Sequence, residues 1–188
     1  MTRRELLQAL VGIGGLGILQ AGKAFGAQPA TATTVAELQS NWKMLLVEGA
    51  KVPSASEPLE LSKEEWQKRL SKTQFDVLRK EGTERAGSSP LNAEKRDGIF
   101  ACAGCDLPLF TSAMKFESGT GWPSFFTTIP GAFATSKDFR MIWPRTEYHC
   151  ARCGGHHGHV FDDGPPPTGQ RWCNNGVALK FLPKNARA

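Results

Sequence analysis

The sequence lacks internal repeats, and its only low-complexity tract is a run of three prolines at residues 165 to 167. Apolar residues make up 40% and charged residues 22% of the 188 residues, which excludes a disordered chain and a collagen-like fibre. The chain also lacks the series of long apolar runs that a polytopic membrane protein needs. Its length predicts one soluble globular domain with a hydrophobic core, plus room for a targeting segment.

The chain has little excess charge outside its first residues. The formal net charge is +5, but residues 1–32 hold three basic residues and one acidic residue, which leaves 20 basic and 17 acidic residues, or +3, in the remainder. If four cysteines bind one divalent ion as thiolates, the remainder carries about +1. Because so small a charge gives no electrostatic footprint for phosphate backbones, we expect no nucleic-acid partner.

The amino terminus is typical of an export signal. Arg3 and Arg4 precede an apolar run over residues 6–19, which is diluted by glycines and is shorter than the roughly 20 residues of a membrane-spanning helix. Twin arginines before a weakly apolar core resemble a twin-arginine signal, and a general secretory signal is the alternative. We expect residues 1–32 to be a signal peptide, the protein to be periplasmic or otherwise exported, and no stable membrane insertion after cleavage.

The remaining chain divides into a helical and a β-rich part. Apolar spacing predicts a helix over residues 34–48, and a Pro- and Ser-rich linker continues to residue 60. Ser62 and Glu65 form a capping-box pair for a second helix, while Thr73 opens a third that ends at Gly82. Beyond residue 95, short apolar runs between Gly and Pro predict antiparallel β structure. These runs cover residues 99–101, 125–129, 140–143, 159–161 and 177–182.

Five cysteines cannot all pair in disulfides, because their number is odd. Two Cys-x-x-Cys pairs, Cys102 with Cys105 and Cys150 with Cys153, supply four thiolates for a tetrahedral zinc site. A site with four protein ligands has no open position, so one Zn²⁺ here would be structural. Two local disulfides, or iron in place of zinc, are the alternatives.

The fifth cysteine, Cys173, lies at the start of the last predicted strand, on the same face as Asn175. A lone cysteine is commonly a small buried apolar residue. Here a histidine segment favours a nucleophile: His156 and His159 could reach one site if the chain bends at Gly158, and a cationic imidazole would lower the pKa of the thiol. A solvated histidine cluster is the alternative.

A further motif centres on Trp122, whose indole either fills the core or contacts a ligand. Together these segments resemble the B-type peptide-methionine (R)-S-oxide reductase family from about Leu61 to Leu182, and we bound the corresponding domain at residues 61–184. The matching stretches are Gly82-Thr83-Glu84-Arg85, both Cys pairs, Gly119-Thr120-Gly121-Trp122-Pro123-Ser124-Phe125, His156 with Gly158-His159-Val160-Phe161, Asp163-Gly164-Pro165, Pro167-Thr168-Gly169 and Arg171-Trp172-Cys173.

The resemblance implies a mainly β fold of two antiparallel sheets, of the β-tent type, with short flanking N-terminal helices and one structural Zn²⁺. It also implies six catalytic-site residues: Cys173, His159, His156, Trp122, Asn175 and Asp163. In this family pattern Cys173 is the nucleophile and Trp122 cradles the S-methyl group of the substrate. The two histidines position and protonate the sulfoxide oxygen, and the remaining two residues support them.

Three positions depart from the family pattern. His157 stands where an apolar residue is common, and Trp172 where tyrosine is usual, so neither inherits a role. Thr120 occupies the position at which many relatives carry a second redox cysteine. We therefore expect no internal disulfide and regeneration of Cys173 by a thioredoxin-like or other external thiol reductant.

The implied function is reduction of methionine-(R)-sulfoxide in oxidised proteins and peptides, through a sulfenic acid at Cys173, as a repair of exported proteins. We expect the enzyme to be a monomer. One alternative is a reductase that acts mainly on free methionine sulfoxide. The others are a zinc-containing protein-interaction domain and a zinc-ribbon nucleic-acid binder, against which the small net charge argues.

Overall fold

The structure is a computed structural model that describes residues 33–46, 48–139 and 144–184. The predicted signal peptide at residues 1–32 and the predicted strand at residues 140–143 lie outside the described residues. Within the described ranges, no helix is both long enough and apolar enough to cross a membrane.

The segment before residue 60 contains a shorter helix than the one predicted over residues 34–48. Helix α1 (Val35–Ser40) begins after Thr34, whose hydroxyl accepts a hydrogen bond from the Glu37 amide. A 3-10 turn (Trp42–Leu45) then replaces the predicted continuation. The residues at 40 and 41 are serine and asparagine, whose side chains compete with the backbone for hydrogen bonds, so the helix ends there.

Two further helices, α2 (Lys63–Arg69) and α3 (Lys72–Lys80), follow the linker. The predicted capping box of α2 is present. Helix α3 begins earlier than predicted, because the hydroxyl of Ser71 and not that of Thr73 accepts from the Gln74 amide. Both helices direct large apolar side chains into the core.

Nine strands of the described residues form two antiparallel sheets, which confirms the predicted fold class. The strands are β1 (Gly98–Cys102), β2 (Pro108–Thr111), β3 (Lys115–Phe116), β4 (Ser124–Phe125), β5 (Phe133–Asp138), β6 (Arg145–Cys150), β7 (His156–Phe161), β8 (Arg171–Asn174) and β9 (Leu179–Pro183). The smaller sheet has the order β2-β1-β9, and the larger has the order β3-β4-β8-β7-β6-β5. A 3-10 turn at Pro90–Ala93 precedes β1, and two others connect β2 to β3 at Ser112–Met114 and β8 to β9 at Gly176–Ala178.

Two predicted strands are shorter than expected. The run at residues 125–129 contributes only its first residue to β4, because the amide of Ile129 pairs with Leu109 in the other sheet. The run at residues 177–182 begins as a 3-10 turn, since the Glu84 carboxylate accepts hydrogen bonds from the amides of Gly176 and Val177.

Aromatic side chains from both sheets fill the core. Phe110 of β2 stacks on Phe125 of β4 with ring centroids 3.9 Å apart, and Phe100 of β1 meets Phe125 edge-on at 5.1 Å. All three side chains are fully buried. The contact between the sheets is therefore apolar and closely packed.

Replacing Phe110 by alanine is expected to lower the free energy of unfolding by about 3–5 kcal/mol, because the substitution leaves a cavity between the sheets. Phe139→Ala is the matched control, since Phe139 is 73% exposed and should cost less than about 0.5 kcal/mol. Urea unfolding followed by fluorescence measures both. Equal losses in the two variants would contradict the assignment of the core.

Candidate active site and zinc centre

The four paired cysteines lie on two tight turns, one in each sheet. They are Cys102 and Cys105 between β1 and β2, and Cys150 and Cys153 between β6 and β7. In both turns the residue after the second cysteine is left-handed, with φ 64° at Asp106 and 66° at Gly154. Its amide donates to the carbonyl of the first cysteine, at 2.9 and 2.8 Å respectively. The two turns therefore have the same local geometry.

The four sulfurs converge on one point between the sheets. They lie within 4.8 Å of one another, with 3.7 Å between Cys102 Sγ and Cys153 Sγ and 3.5 Å between Cys105 Sγ and Cys150 Sγ. Zinc–sulfur bonds of about 2.3 Å place the ligands of a tetrahedral site about 3.8 Å apart. None of the five cysteines is in a disulfide. The buried thiol set thus fits one structural zinc ion.

Three arginines surround this centre. Arg69, Arg79 and Arg152 each donate to a backbone carbonyl within the cysteine turns, at 2.6, 2.8 and 2.7 Å. Four thiolates and one Zn²⁺ would carry a net charge of −2, so nearby guanidinium groups stabilise the loaded site.

Strand pairing positions the candidate nucleophile. On β8, the Cα of Cys173 pairs with Ser124 of β4 on one side and with His159 of β7 on the other. Directly paired residues point to the same face of a sheet. The predicted thiol and imidazole are therefore brought to one face by neighbouring strands.

A β-bulge brings the second histidine, His156, next to His159, although His156 is buried and does not line the cavity beside Cys173. The pairing of β6 with β7 shifts before His149, which leaves His157 as an extra residue on β7 and changes the alternation of the side chains. The ring centroids of His156 and His159 are consequently 5.5 Å apart.

Gly158, at which the sequence predicted a bend, follows the bulged residue directly and lies very close to β8. A Cβ at this position would overlap the carbonyl oxygen of Cys173. The neighbouring His157 is fully buried against Phe133, and burial lowers its pKa to about 3. His157 is therefore neutral, and it lies in the core.

His159 has an acidic and a basic neighbour that the sequence did not reveal. Its Nε2 lies 2.8 Å from Asp138 Oδ2, and Arg145 Nη2 contacts the same oxygen at 2.6 Å. Burial lowers the pKa of His159; the Asp138 carboxylate opposes this shift, and the Arg145 charge adds to it. The imidazole is thus held in place by the carboxylate without being made cationic.

The pKa of the Cys173 thiol is raised, chiefly by burial, while the charge of Arg171 and a hydrogen bond with Thr120 oppose the shift. The expectation that a cationic imidazole lowers this pKa is therefore wrong. Burial raises the pKa, and the positive charge that opposes the shift belongs to the Arg171 guanidinium.

Asp163 also differs from its predicted place in the histidine network. It forms a bidentate ion pair with Arg171, at 2.8 and 2.9 Å, and so acts on the cysteine side of the site.

Glu84 organises the loop after the cysteine. It is buried, and its carboxylate oxygens accept from the amides of Gly176 and Val177 at 2.6 and 2.9 Å. Its own amide donates to Asn175 Oδ1 at 2.9 Å, and its carbonyl accepts from Trp122 Nε1 at 3.2 Å. Glu84 therefore connects two of the predicted site residues to the strand that carries the thiol.

An open cavity of about 210 Å³ lies above these groups. Its lining consists of Thr83, Trp122, Arg145, Gly158, His159, Phe161, Cys173, Asn174 and Asn175. It has an indole and a phenyl ring beside one thiol and one imidazole. Such a cavity can hold a small apolar group next to a nucleophile and a proton carrier.

Several residues of this site were not predicted from the sequence, namely Glu84, Asp138, Arg145 and Arg171. Glu84 and Arg171 lie within the stretches that match the family pattern, but nothing in their spacing indicates a contact with the histidines or the loop. Trp172, where tyrosine is usual, donates from Nε1 to Gln170 Oε1 at 3.1 Å and packs edge-on against Tyr148.

Comparisons with known proteins agree with this geometry. A family model described as the SelR domain matches residues 70–183. The chain is 50% identical over 123 residues to "Peptide methionine sulfoxide reductase MsrB" of Pseudomonas entomophila, covering 65% of this chain and 94% of the relative. It is 49% identical over 128 residues to the protein of the same name from Methanosarcina barkeri, covering 68% of this chain and 90% of the relative. "Peptide methionine sulfoxide reductase B1, chloroplastic" of Arabidopsis thaliana is 49% identical over 122 residues, with coverage of 64% and 60%.

Replacing Cys105 by serine should abolish tight zinc binding and lower the melting temperature, because the tetrathiolate set loses one ligand and the two sheets lose their shared ion. Elemental analysis of purified protein should fall from about one zinc per chain to about one tenth or less. Cys173→Ser is the matched control and should retain its zinc. A full equivalent of zinc in the Cys105 variant would contradict the assignment.

Proposed function

The chain belongs to the SelR family of B-type peptide methionine sulfoxide reductases, and we propose that it reduces methionine-(R)-sulfoxide in oxidised proteins with Cys173 as its nucleophile. The observation that carries this proposal is the pairing of Cys173 with His159 across β7 and β8, at the floor of the cavity that Trp122 lines. In this arrangement a sulfoxide sulfur can approach the thiol while its oxygen faces the imidazole.

The first step moves one oxygen atom. The sulfur of Cys173 attacks the sulfoxide sulfur. The oxygen then bonds to Cys173 Sγ as the transient S–S bond and the substrate S–O bond break, which leaves methionine and a sulfenic acid on Cys173. The cysteine is oxidised by two electrons and the substrate sulfur is reduced by two. The thiol proton ends on the transferred oxygen, so the step needs no other proton source.

His159 carries that proton from the Cys173 thiol to the sulfoxide oxygen. Burial raises the pKa of Cys173 and lowers that of His159, so the resting pair is a thiol beside a neutral imidazole. Such a pair holds one proton, which the imidazole can take from the thiol and pass to the sulfoxide oxygen. Asp138 fixes the orientation of the ring through its contact with Nε2. His156 packs against His159 and supports it.

The remaining site residues bind and position. The indole of Trp122, anchored to the Glu84 carbonyl, offers an apolar face for the S-methyl group. Asn175 ties the loop to β7, because its Nδ2 donates to the His157 carbonyl at 2.9 Å. Arg171 and its partner Asp163 act through the thiol and are positioning residues.

An external thiol regenerates the enzyme. One reductant thiol condenses with the sulfenic acid and releases water, and a second thiol resolves the mixed disulfide. Thr120 hydrogen bonds with Ser118 at 2.9 Å and contacts the thiol of Cys173, so the position next to the nucleophile holds a hydroxyl. The four other cysteines are the buried zinc ligands, which leaves no internal resolving thiol. The reductant is a thioredoxin-like protein or another thiol reductant.

We further propose that the enzyme is exported by a twin-arginine signal within residues 1–32, acts in the periplasm or an equivalent compartment on exported proteins, and is a monomer. The paired arginines and the glycine-diluted apolar run support this route. Export of an already folded chain suits a domain whose zinc is bound between its two sheets.

Replacing Cys173 by serine is expected to reduce kcat/KM for a peptide with methionine-(R)-sulfoxide at least about 10³-fold, since no nucleophile remains. Wild-type protein should consume the R epimer and spare the S epimer in the presence of dithiothreitol. One turnover without reductant should leave a sulfenic acid on Cys173. Preference for the S epimer, or a disulfide between Cys173 and a zinc ligand, would contradict the proposal.

The pH dependence follows from the two shifted pKa values. Activity falls in acid as His159 gains a proton and cannot accept another, and it falls in base as the thiol of Cys173 loses the proton that the oxygen needs. Since burial moves these pKa values below 6.5 and above 9.0, kcat/KM should be flat between those limits. Asp138→Asn removes a carboxylate that stabilises the imidazolium, so the acid limb should move to lower pH.

Single-turnover rates between pH 5 and 10 measure both effects. Asp162→Asn is the control, because it removes an exposed carboxylate that is close to His159 in sequence, and it should leave the acid limb unchanged. An acid limb above pH 6.5, or one that moves to higher pH in Asp138→Asn, would show that His159 does not carry the proton.

The export proposal is tested by fractionating cells that express the full chain. Replacing Arg3 and Arg4 by lysine should retain the precursor in the cytoplasm, while replacing Lys51 and Lys63 by arginine should leave its distribution unchanged. Equal export of both variants would contradict the twin-arginine route, and cytoplasmic wild-type protein would contradict export itself.

A further inference from the structure

A second group of metal-ligating side chains lies near the active site. Glu147 and His149 occupy alternate positions of β6 and so share one face, and His149 pairs with His156 of β7. One ligand atom from each of the three residues lies within 4.8 Å of the others. The set consists of two imidazoles and one carboxylate, which differs in kind from the four thiols of the structural zinc centre.

Two distances within the set are close to the spacing of ligands around one small cation. Glu147 Oε1 is 3.1 Å from His149 Nε2, and Glu147 Oε2 is 3.4 Å from His156 Nδ1. Zinc bonds of about 2.0–2.2 Å to nitrogen and oxygen place tetrahedral ligands about 3.3–3.6 Å apart. We propose that Glu147, His149 and His156 form a second, exchangeable site for Zn²⁺ or a similar divalent ion that prefers imidazole.

The neighbouring cluster of Asp138, Glu147 and His159 offers no such site. Asp138 also lies near Glu147 and His159, but its Oδ2 already contacts Arg145 Nη2 at 2.6 Å. Among the residues that the structure describes, no lysine or arginine nitrogen lies within 4.0 Å of the Glu147 carboxylate. The hydroxyl of Ser136 donates to Glu147 Oε1 at 3.0 Å, which holds the carboxylate in place and adds no charge.

Burial and ligand number make this site exchangeable. The side chains of His149 and Glu147 are 20% and 14% exposed, while that of His156 is 1% exposed, so an ion can enter from the His149 side and meet the buried imidazole last. Three protein ligands leave a tetrahedral position for water, unlike the closed tetrathiolate centre. We therefore expect an ion that binds and leaves without unfolding the chain.

Occupancy of this site should affect catalysis. The rings of His156 and His159 lie 5.5 Å apart. A divalent charge on His156 would oppose positive charge on His159 while that ring carries the proton in transit, so it should slow turnover. This consequence rests on the proposed role of His159, whereas the binding itself does not.

Binding is measured on zinc-loaded Cys173→Ser protein, in which the zinc ligands are the only remaining cysteines. Equilibrium dialysis against micromolar Zn²⁺, with a phosphine reductant because dithiols bind zinc, should find two zinc ions per chain. His149→Gln should reduce the number to one. Ser136→Ala is the matched control, because it removes the neighbour of Glu147 without removing a ligand, and it should retain two. A single ion in the parent protein, or two in His149→Gln, would overturn the proposal.

The catalytic consequence is measured separately on protein with Cys173 intact. Added Zn²⁺ should slow single-turnover reduction of the R-sulfoxide peptide, and dilution into metal-free buffer should restore the rate. His149→Gln should need at least about tenfold more Zn²⁺ for the same inhibition, since it removes a ligand and loss of even an outer-shell partner costs about tenfold or more in affinity. Equal inhibition of both proteins would show that zinc acts elsewhere, for example on the Cys173 thiol.

Discussion

The structure depends on one set of contacts that joins its two sheets, the convergence of four buried cysteine thiols. Each close sulfur pair combines a cysteine from the turn of the smaller sheet with one from the turn of the larger, Cys102 with Cys153 and Cys105 with Cys150. A zinc ion there would fix the sheets to each other and fix the start of β7, which begins three residues after Cys153. The pairing of His159 with Cys173 lies further along the same strand, so an ion bound here would help to set the geometry of a site that it does not touch.

Within this frame, burial shapes the chemistry more than charge does. It raises the pKa of the thiol and lowers that of the imidazole, while Arg171 and Asp138 only moderate the two shifts. The result is a neutral pair with one proton to move, which suits a reaction in which an oxygen atom and a proton both end on Cys173. A thiolate–imidazolium pair would need stronger compensation than Arg171 and Asp138 supply.

The sequence predicted what local spacing encodes. The Cys-x-x-Cys pairs, the capping box at Ser62 and the β-rich second half are visible in short stretches, and the motif around Trp122 identified the family. The residues that complete the site are not visible in this way. Glu84 meets Asn175 across 91 positions, and the partners of Asp163 and His159 depend on which strands become neighbours. Local pattern fixes which face a side chain occupies, whereas strand order fixes what it meets there.

The central claim is that Cys173 receives the oxygen of the substrate. It is tested most directly with a methionine-(R)-sulfoxide peptide whose sulfoxide oxygen is a heavy isotope, in one turnover without reductant and in ordinary water. Mass spectrometry should find the heavy oxygen on Cys173, in a yield equal to the methionine formed. Heavy oxygen released to water, or found on any other residue, while methionine is produced would contradict it.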